Sequence, residues 1–259
     1  FVPLSHPPGH AQVDFGEAEA VIGGVRQKVH FFCLDLPQSD ACFVRAYPRE
    51  TTEAFLDGHV AAFAFFGGVP LTILYDNLKL AVARICGDGK RERTRAFTGL
   101  VSHYLFQDRF GRPGKGNDKG KVEGLVKFAR ANFLTPVPTA ASYEALNAML
   151  AERCRQRQSE RAGRHAETIG ARLAADRAVL RALPAVALEP CETIGARVSS
   201  TALVRYRGND YSVPTAHGFQ AVLVKGFVDA VVILCDGAPI ARHIRSYGHG
   251  EFVYDPLHY

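Results

Sequence analysis

The order of the predicted elements in the first 75 residues restricts the fold of this chain more than any other feature. Runs at 11–15, 28–36 and 41–47 are rich in β-forming residues, and Gly23-Gly24 makes a good hairpin turn between the first two. These runs predict three consecutive strands that are joined by short turns.

A helix is predicted between these strands and the next apolar run. Thr51 or Thr52 supplies its N-terminal cap, and Gly67-Gly68 ends it. Residues 71–75 then form a short apolar run, which is typical of a buried strand. Three strands, a crossover helix and a further buried strand predict a mixed α/β sheet.

The middle of the chain is predicted to be mostly helical. Residues 84–95 are basic, contain glycine and are predicted to form an exposed loop. A strand is expected at 105–110, and the turn-forming sequence RPGKGND predicts a loop at 112–118. Helices are predicted at 98–104, 119–133, 142–158 and 167–183, the second of which repeats apolar residues at steps of four, three and four.

From residue 198 the chain changes to short β-rich runs that are separated by hairpin turns. Strands are predicted at 202–207, 211–213, 220–225, 230–235 and 240–245. Short strands in such a series predict a small all-β barrel. The expected domains are an α/β core over 1–140, a helical connector over 141–194 and the barrel over 195–259.

The composition is that of an ordinary globular protein with a mild positive excess. The net charge of +5 suits a polyanionic partner without requiring one. The six cysteines are scattered singly, which indicates buried thiols in a reducing compartment. No apolar run reaches the length of about 18 residues that a transmembrane helix needs. Because the start is not signal-like, we expect a fragment of a longer cytoplasmic protein.

Three acidic residues stand out by their positions. Asp14 lies inside the first strand, Asp76 follows directly on the buried strand, and Glu123 lies in the first turns of a helix. A carboxylate among apolar neighbours is costly unless it is paired or binds a metal ion. Each also has a structural explanation: Asp14 as a salt-bridge partner, Asp76 as a turn or helix cap, and Glu123 as a solvated residue.

Two-metal phosphodiester chemistry gives the three carboxylates a common explanation. Two Mg²⁺ ions about 4 Å apart activate a water or a 3′-hydroxyl and stabilise the leaving oxygen. Mg²⁺ prefers oxygen ligands, and Mn²⁺ is its usual substitute. We predict that Asp14 bridges both ions, while Asp76 and Glu123 hold one each.

Basic residues surround Glu123. Lys119 and Lys127 lie four residues before and after it and share its helix face, and Arg130 follows on nearly the same side. A solvated charged face is the alternative explanation. The residues predicted to bind DNA backbone phosphates are Lys79, Arg112, Lys115, Lys119, Lys121, Lys127 and Arg130.

Three sequence blocks closely resemble those of the IstA-type insertion-sequence transposases: QVDFGEA, ILYDNLK and GKGNDKGKVEGLVKFARANFL. These enzymes belong to the DDE transposase and retroviral integrase superfamily, whose core is ribonuclease-H-like. The resemblance covers essentially the whole chain, because RYRGNDYSVP also matches the family's small SH3-like barrel. The family's two Asp residues and its Glu fall on Asp14, Asp76 and Glu123.

The resemblance implies properties that composition does not show. It implies a bacterial transposase that cleaves 3′ ends with Mg²⁺, transfers DNA strands and forms homo-oligomers on transposon ends and target DNA. It also implies an AAA+ ATPase helper and a cytoplasmic protein that joins the nucleoid when on DNA. The interval from 76 to 123 is longer than in retroviral integrases but fits the insertion-sequence branch. The N-terminal helix-turn-helix that grips terminal repeats is not found in this chain.

Two rival functions keep the same fold. A transposase-derived DNA-binding module would have lost the chemistry, whereas a ribonuclease-H-type nuclease would use the same ions to cut RNA in a hybrid. The presence of all three carboxylates argues against the first rival, and the resemblance favours DNA strand transfer over the second. A P-loop is excluded because Gly114 and Gly120 are separated by five residues, and Val122 follows Lys121.

Overall fold

The computed structural model describes residues 6–75, 80–85, 91–111, 120–163 and 165–259, except for the side chains of 83–85, 91 and 120–123. The chain divides into two compact units, one of residues 1–51 with 58–188 and one of residues 52–57 with 189–259. In the described part, no helix is long and apolar enough to cross a membrane.

The first unit is an α/β structure. Its elements, together with the helix whose first six residues fall in the second unit, are β1 (His10–Ile22), β2 (Val25–Leu36), β3 (Ala41–Tyr47), α1 (Thr52–Phe66), β4 (Thr72–Tyr75), β5 (Val82–Ile85), β6 (Arg91–Arg93), α2 (Arg95–Tyr104), β7 (Gln107–Phe110), α3 (Gly120–Asn132), β8 (Thr139–Ala140), α4 (Tyr143–Arg157) and α5 (Ile169–Arg177). The predicted connector helices α4 and α5 thus lie in this unit.

A mixed sheet forms the centre of the first unit, with strand order β3-β2-β1-β4-β7 and β8 paired with the far end of β1. The first three strands pair antiparallel, as predicted, and the hairpin between β1 and β2 turns at Gly23 and Gly24, which have φ angles of 58° and 84°. β4 lies parallel to both β1 and β7. The mixed α/β sheet that the sequence predicts is therefore confirmed.

Two predictions for the middle of the chain are wrong. Residues 84–95 do not form a simple loop, because β5 and β6 pair there as a short antiparallel hairpin. The helix expected at 167–183 ends at Arg177. Beyond it, Arg181 exchanges two backbone hydrogen bonds of 2.9 Å with Val69. This long-range pairing replaces the helical hydrogen bonds that the local sequence favours.

The two faces of β1 carry different side chains because residues alternate along a strand. On one face Phe15 meets Phe32 of β2, whose ring lies 4.9 Å from that of His59 on α1. On the other face Ala20 joins a core with residues of α3 and α4, among them Val126 and Leu150. One layer of helix therefore covers each face of the sheet.

The second unit is mostly β-structure. Its strands are β9 (Glu192–Arg197), β10 (Leu203–Tyr206), β11 (Asn209–Ser212), β12 (Ala221–Gly226), β13 (Ala230–Cys235), β14 (Ala238–Ile244) and β15 (Phe252–Val253). They form two sheets of order β14-β13-β12-β9 and β10-β11-β15, which share one apolar core. Strands β9 and β15 were not predicted from the sequence; β9 lies before residue 198, where the β-rich region was expected to begin, and β15 has only two residues.

An ion pair is buried inside the second unit. Glu53, from the segment 52–57, is fully buried and contacts the guanidinium of Arg245. The hydroxyl of Tyr206 donates a 3.0 Å hydrogen bond to the same carboxylate. Burial and the charge of Glu53 raise the pKa of Tyr206, so its hydroxyl keeps its proton. Removal of either charge would leave the other buried without its partner, which is strongly destabilising.

The stability of the second unit is expected to depend on pH through His243. Burial and the neighbouring His258 lower the pKa of His243, whose Nε2 donates a 2.6 Å hydrogen bond to the Ser212 carbonyl. Because the folded-state pKa lies below the unfolded value of 6.5, its contribution is complete above that pH and is lost as the pH falls below it. Melting temperatures between pH 5 and 8 should show a smaller decline for His243→Gln than for wild type. The exposed His249→Gln is the control, and an equal decline in both variants contradicts the assignment.

Candidate active site

Asp14 lies on β1 between β2 and β4, near the middle of the sheet. Its carboxylate is partly exposed, and Oδ1 accepts a 2.8 Å hydrogen bond from the backbone N–H of Phe15. Asp14 pairs in register with Cys33, a member of the core that packs against α3 and α4. The side chain of Asp14 therefore lies on the face of the sheet that α3 covers.

Strand β4 ends beside the part of β1 that carries Asp14. Tyr75, the last residue of β4, pairs with Val13 in a parallel ladder, one residue before Asp14. Asp76 follows Tyr75 directly and lies outside the described residues.

Helix α3 carries Glu123, whose side chain is not among the described ones. The helix packs on the sheet through Leu125, Val126 and Ala129, of which Val126 and Ala129 belong to the predicted apolar repeat. Val126 follows Glu123 by three residues and is close to one helical turn from it. The contact of Val126 with the sheet therefore determines how near this part of α3 comes to β1.

Gly16 makes that close approach possible. A Cβ atom at Gly16 would lie 2.3 Å from Cζ of Phe31 and 2.7 Å from Cγ1 of Val126. Gly16 shares the face of Asp14, two residues further along β1. The role of this Gly was not predicted, although it lies in the QVDFGEA block that contains Asp14. No local pattern reveals the contact, because Val126 is 110 residues away in the chain.

Charges of both signs act on the acidic residues near Asp14. Burial raises the pKa of Glu50, and the charges of Asp14 and Glu17 raise it further. Glu17 is itself paired with Lys28 at 2.9 Å, and this hydrogen bond lowers its pKa, as does the charge of Arg130. Glu17 is therefore neutralised by basic neighbours, whereas Glu50 experiences the negative charge of Asp14.

Two of the predicted phosphate-binding residues lie in the described part with their side chains. Lys127 is exposed on α3, and Arg130 is exposed while its Nε donates a 2.9 Å hydrogen bond to the backbone carbonyl of Glu17. Arg130 thus also ties α3 to β1. The predictions that lie outside the described side chains are Lys79, Arg112, Lys115, Lys119 and Lys121.

The described residues contain no cluster of three His, Cys, Asp or Glu side chains that is suited to a metal ion, and Asp76 and the Glu123 side chain lie outside them.

One other group of side chains, in the second unit, has the composition of a hydrolase triad. Ser212 Oγ is 2.8 Å from Nδ1 of His258, whose Nε2 is 3.9 Å from Asp255. Ser212 is fully buried and its Oγ accepts the Asp255 N–H, so the group fastens a turn rather than presenting a nucleophile.

The known proteins that are similar in sequence to this chain are transposases. Residues 183–255 match the family described as Mu transposase, C-terminal domain. A transposase for insertion sequences IS1326/IS1353 from Pseudomonas aeruginosa is 37% identical over 256 residues, which are 97% of this chain and 50% of that protein. The transposase for insertion sequence element IS21 from Pseudomonas aeruginosa is 32% identical over 226 residues, which are 87% of this chain and 58% of the relative. The chain spans about half the length of these relatives.

Among solved structures, the chain is similar to one from the simian T-cell lymphotropic virus intasome in complex with the PP2A regulatory subunit B56 gamma. The TM-score is 0.50 at 13% identity, and the match covers 92% of this chain and 79% of that one. At this identity the likeness concerns the fold alone. It agrees with the predicted ribonuclease-H-like integrase core, which in this chain is followed by additional β-sheets.

Gly16→Ala should move α3 away from β1. Its new methyl group would overlap with Phe31 and Val126, and overpacking of this kind costs about 1–3 kcal/mol of unfolding free energy. Gly195→Ala, also in a strand but with open space around it, is the matched control and should be close to neutral. Chemical denaturation measures both, and equal stabilities of the two variants would show that α3 does not need this close contact.

Proposed function

Because this chain is a homologue of the IS1326/IS1353 and IS21 transposases along nearly its whole length, we propose that it is the catalytic part of a metal-dependent DNA transposase. The observation that supports this most is the position of Asp14. It lies in an integrase-type sheet, on the face covered by the helix of Glu123, and beside the strand that ends immediately before Asp76.

In the proposed reaction, water cleaves the phosphodiester at a transposon end and releases a 3′-hydroxyl. This hydroxyl then attacks a phosphodiester of target DNA, so that one P–O bond forms as another breaks. When bound, two Mg²⁺ ions activate the attacking oxygen and stabilise the leaving oxygen. No covalent intermediate with the protein is needed.

Different residues of this chain have different roles in the proposed reaction. Asp14, on the central strand, would bind both metal ions, and Asp76 and Glu123 would each bind one of them. Arg130 and the Gly16 contact keep α3 against β1, so that Glu123 is held by the same framework as Asp14. Lys127 and the basic residues near Glu123 bind backbone phosphates, which orients the duplex without reading its sequence. Assembly of several copies on DNA and an AAA+ ATPase helper also belong to this proposal, on the basis of the resemblance.

The three carboxylates are tested in the full-length protein with duplexes from the ends of its element. Asp14→Asn, Asp76→Asn and Glu123→Gln should each reduce Mg²⁺-dependent strand joining by about a hundredfold or more, because ion binding contributes several kcal/mol to transition-state stabilisation. Glu19→Gln is the matched control, since this carboxylate of β1 is exposed and paired with Arg26. Near-normal joining by any one of the three variants would refute the triad.

The same assay separates the rival functions. A ribonuclease-H-type nuclease would cut RNA–DNA hybrids and leave DNA duplexes unjoined. A DNA-binding module without chemistry would bind duplex with a strong salt dependence and neither cut nor join it. Either result replaces the proposed function.

The contribution of Lys127 to phosphate binding is measured by salt dependence. Lys127→Ala should weaken DNA binding similarly for all sequences and reduce the slope of log K against log salt by about 0.9, the value for one lost phosphate contact. Arg26→Ala is the control, because Arg26 is already paired with Glu19 on the sheet. An unchanged slope for Lys127→Ala would assign this residue to a solvated face.

A further inference from the structure

A histidine is buried where α1 packs against the sheet. His59 is fully buried, and its Nε2 lies 2.8 Å from the hydroxyl of Tyr75, which is also fully buried. The imidazole stands among aromatic rings, with Phe32 at 4.9 Å and Phe63 at 5.8 Å between centroids. Its ring is nearly parallel to that of Phe106, at 6.5 Å.

This hydrogen bond is unusual for its surroundings. A polar side chain in an aromatic core is costly unless it is hydrogen-bonded, and an apolar ring would fill the same space without that cost. The partner of this hydrogen bond, Tyr75, ends the strand that leads to Asp76.

Tyr75 is held from several sides. Its backbone pairs with Val13 of β1, and its carbonyl accepts a 3.0 Å hydrogen bond from the N–H of Gly111, beyond β7. Its ring makes an edge contact with Phe97 of α2 at 5.0 Å. The hydrogen bond to His59 fixes the far end of the side chain on the α1 face of the sheet.

Tyr75 and Asp14 lie on opposite faces of the sheet. Tyr75 pairs in register with Val13, and successive residues of a strand alternate between the two faces. Asp14 therefore lies on the face that α3 covers, while Tyr75 lies on the α1 face. Because Tyr75 is the last residue of β4, the contacts that hold it fix the point from which the chain continues to the second predicted carboxylate.

We propose that His59 is a positioning residue of the active site, which acts through Tyr75 to hold the end of β4 in the orientation that metal binding requires. The inference rests on the proposed function. His59 touches neither DNA nor metal in this role. It belongs to the supporting residues that orient a metal ligand, a class whose loss typically lowers metal affinity or activity by about 10- to 100-fold.

Four variants of the full-length protein test this role. His59→Phe leaves the Tyr75 hydroxyl without the imidazole, and Tyr75→Phe does the converse. The double variant His59→Phe with Tyr75→Phe removes both groups of this hydrogen bond together, so stability is expected to recover relative to either single variant. His59→Gln keeps a side chain that can hydrogen-bond with the hydroxyl. Leu173→Ala, in the core under α5, is a control for destabilisation alone.

Three measurements are made on each variant: the melting temperature, the Mn²⁺ dissociation constant by calorimetry, and the rate of strand joining. We expect the double variant to melt close to wild type but to bind Mn²⁺ about tenfold more weakly and to join strands about tenfold more slowly. His59→Gln should restore both to within about threefold. Leu173→Ala should lower the melting temperature without a change in Mn²⁺ affinity.

Two results overturn the positioning role by itself. One is a double variant that binds Mn²⁺ and joins DNA within twofold of wild type. The other is a loss of activity that follows melting temperature alone across all variants, including Leu173→Ala. Failure of the proposed function would give a different result. In that case the wild-type protein would join no DNA, or Asp14→Asn would join it normally. Either outcome would also refute the positioning role.

Discussion

The contact of Gly16 with Val126 and Phe31 is the constraint on which the arrangement of the first unit depends. It allows α3 to lie directly on β1, so that a strand near the start of the chain and a helix more than 100 residues later share one packed layer. A packed core resists small displacements, because it has few voids into which side chains can move. The spacing between the strand of Asp14 and the helix of Glu123 is therefore fixed by packing and not by any bond between the two carboxylates.

Alternation along β1 divides the sheet into two differently built faces. The α1 face holds large rings, including Phe15 and Phe32, which give this side of the sheet a stiff aromatic layer. The α3 face of β1 holds small residues, Gly16 and Ala20, next to Asp14. Small residues permit a close helix, while the aromatic layer supports the sheet from behind. A carboxylate on the crowded but partly exposed face can thus be rigid and still be reached by solvent.

Sequence patterns predicted the elements of this framework better than the contacts between them. The strand β3 and the turn at Gly23-Gly24 follow from local residue preferences, and the structure has both as predicted. The helix predicted to reach residue 183 stops early because Arg181 pairs with Val69, and no local preference encodes a partner so far away. The Gly16 contact and the His59–Tyr75 hydrogen bond escaped prediction for the same reason. Asp14 was found because an acidic residue in a strand is itself a local anomaly.

The two units differ in net charge and therefore in their expected electrostatic attraction to a polyanion. With Glu53 and Asp57 of the segment 52–57, the second unit contains six Lys and Arg against nine Asp and Glu, so the positive net charge of the chain comes entirely from the first unit. The affinity of a protein for DNA backbone arises mainly from the cations that replace condensed counterions. Any non-specific attraction to a polyanion would therefore arise mainly in the first unit. In the second unit, Arg205, Arg207 and Arg245 are paired with acidic residues, and Arg245 is buried with Glu53. Much of the basic character of its sequence is thus used to stabilise its own fold, and specific geometry rather than net charge would have to govern any contact it makes with DNA.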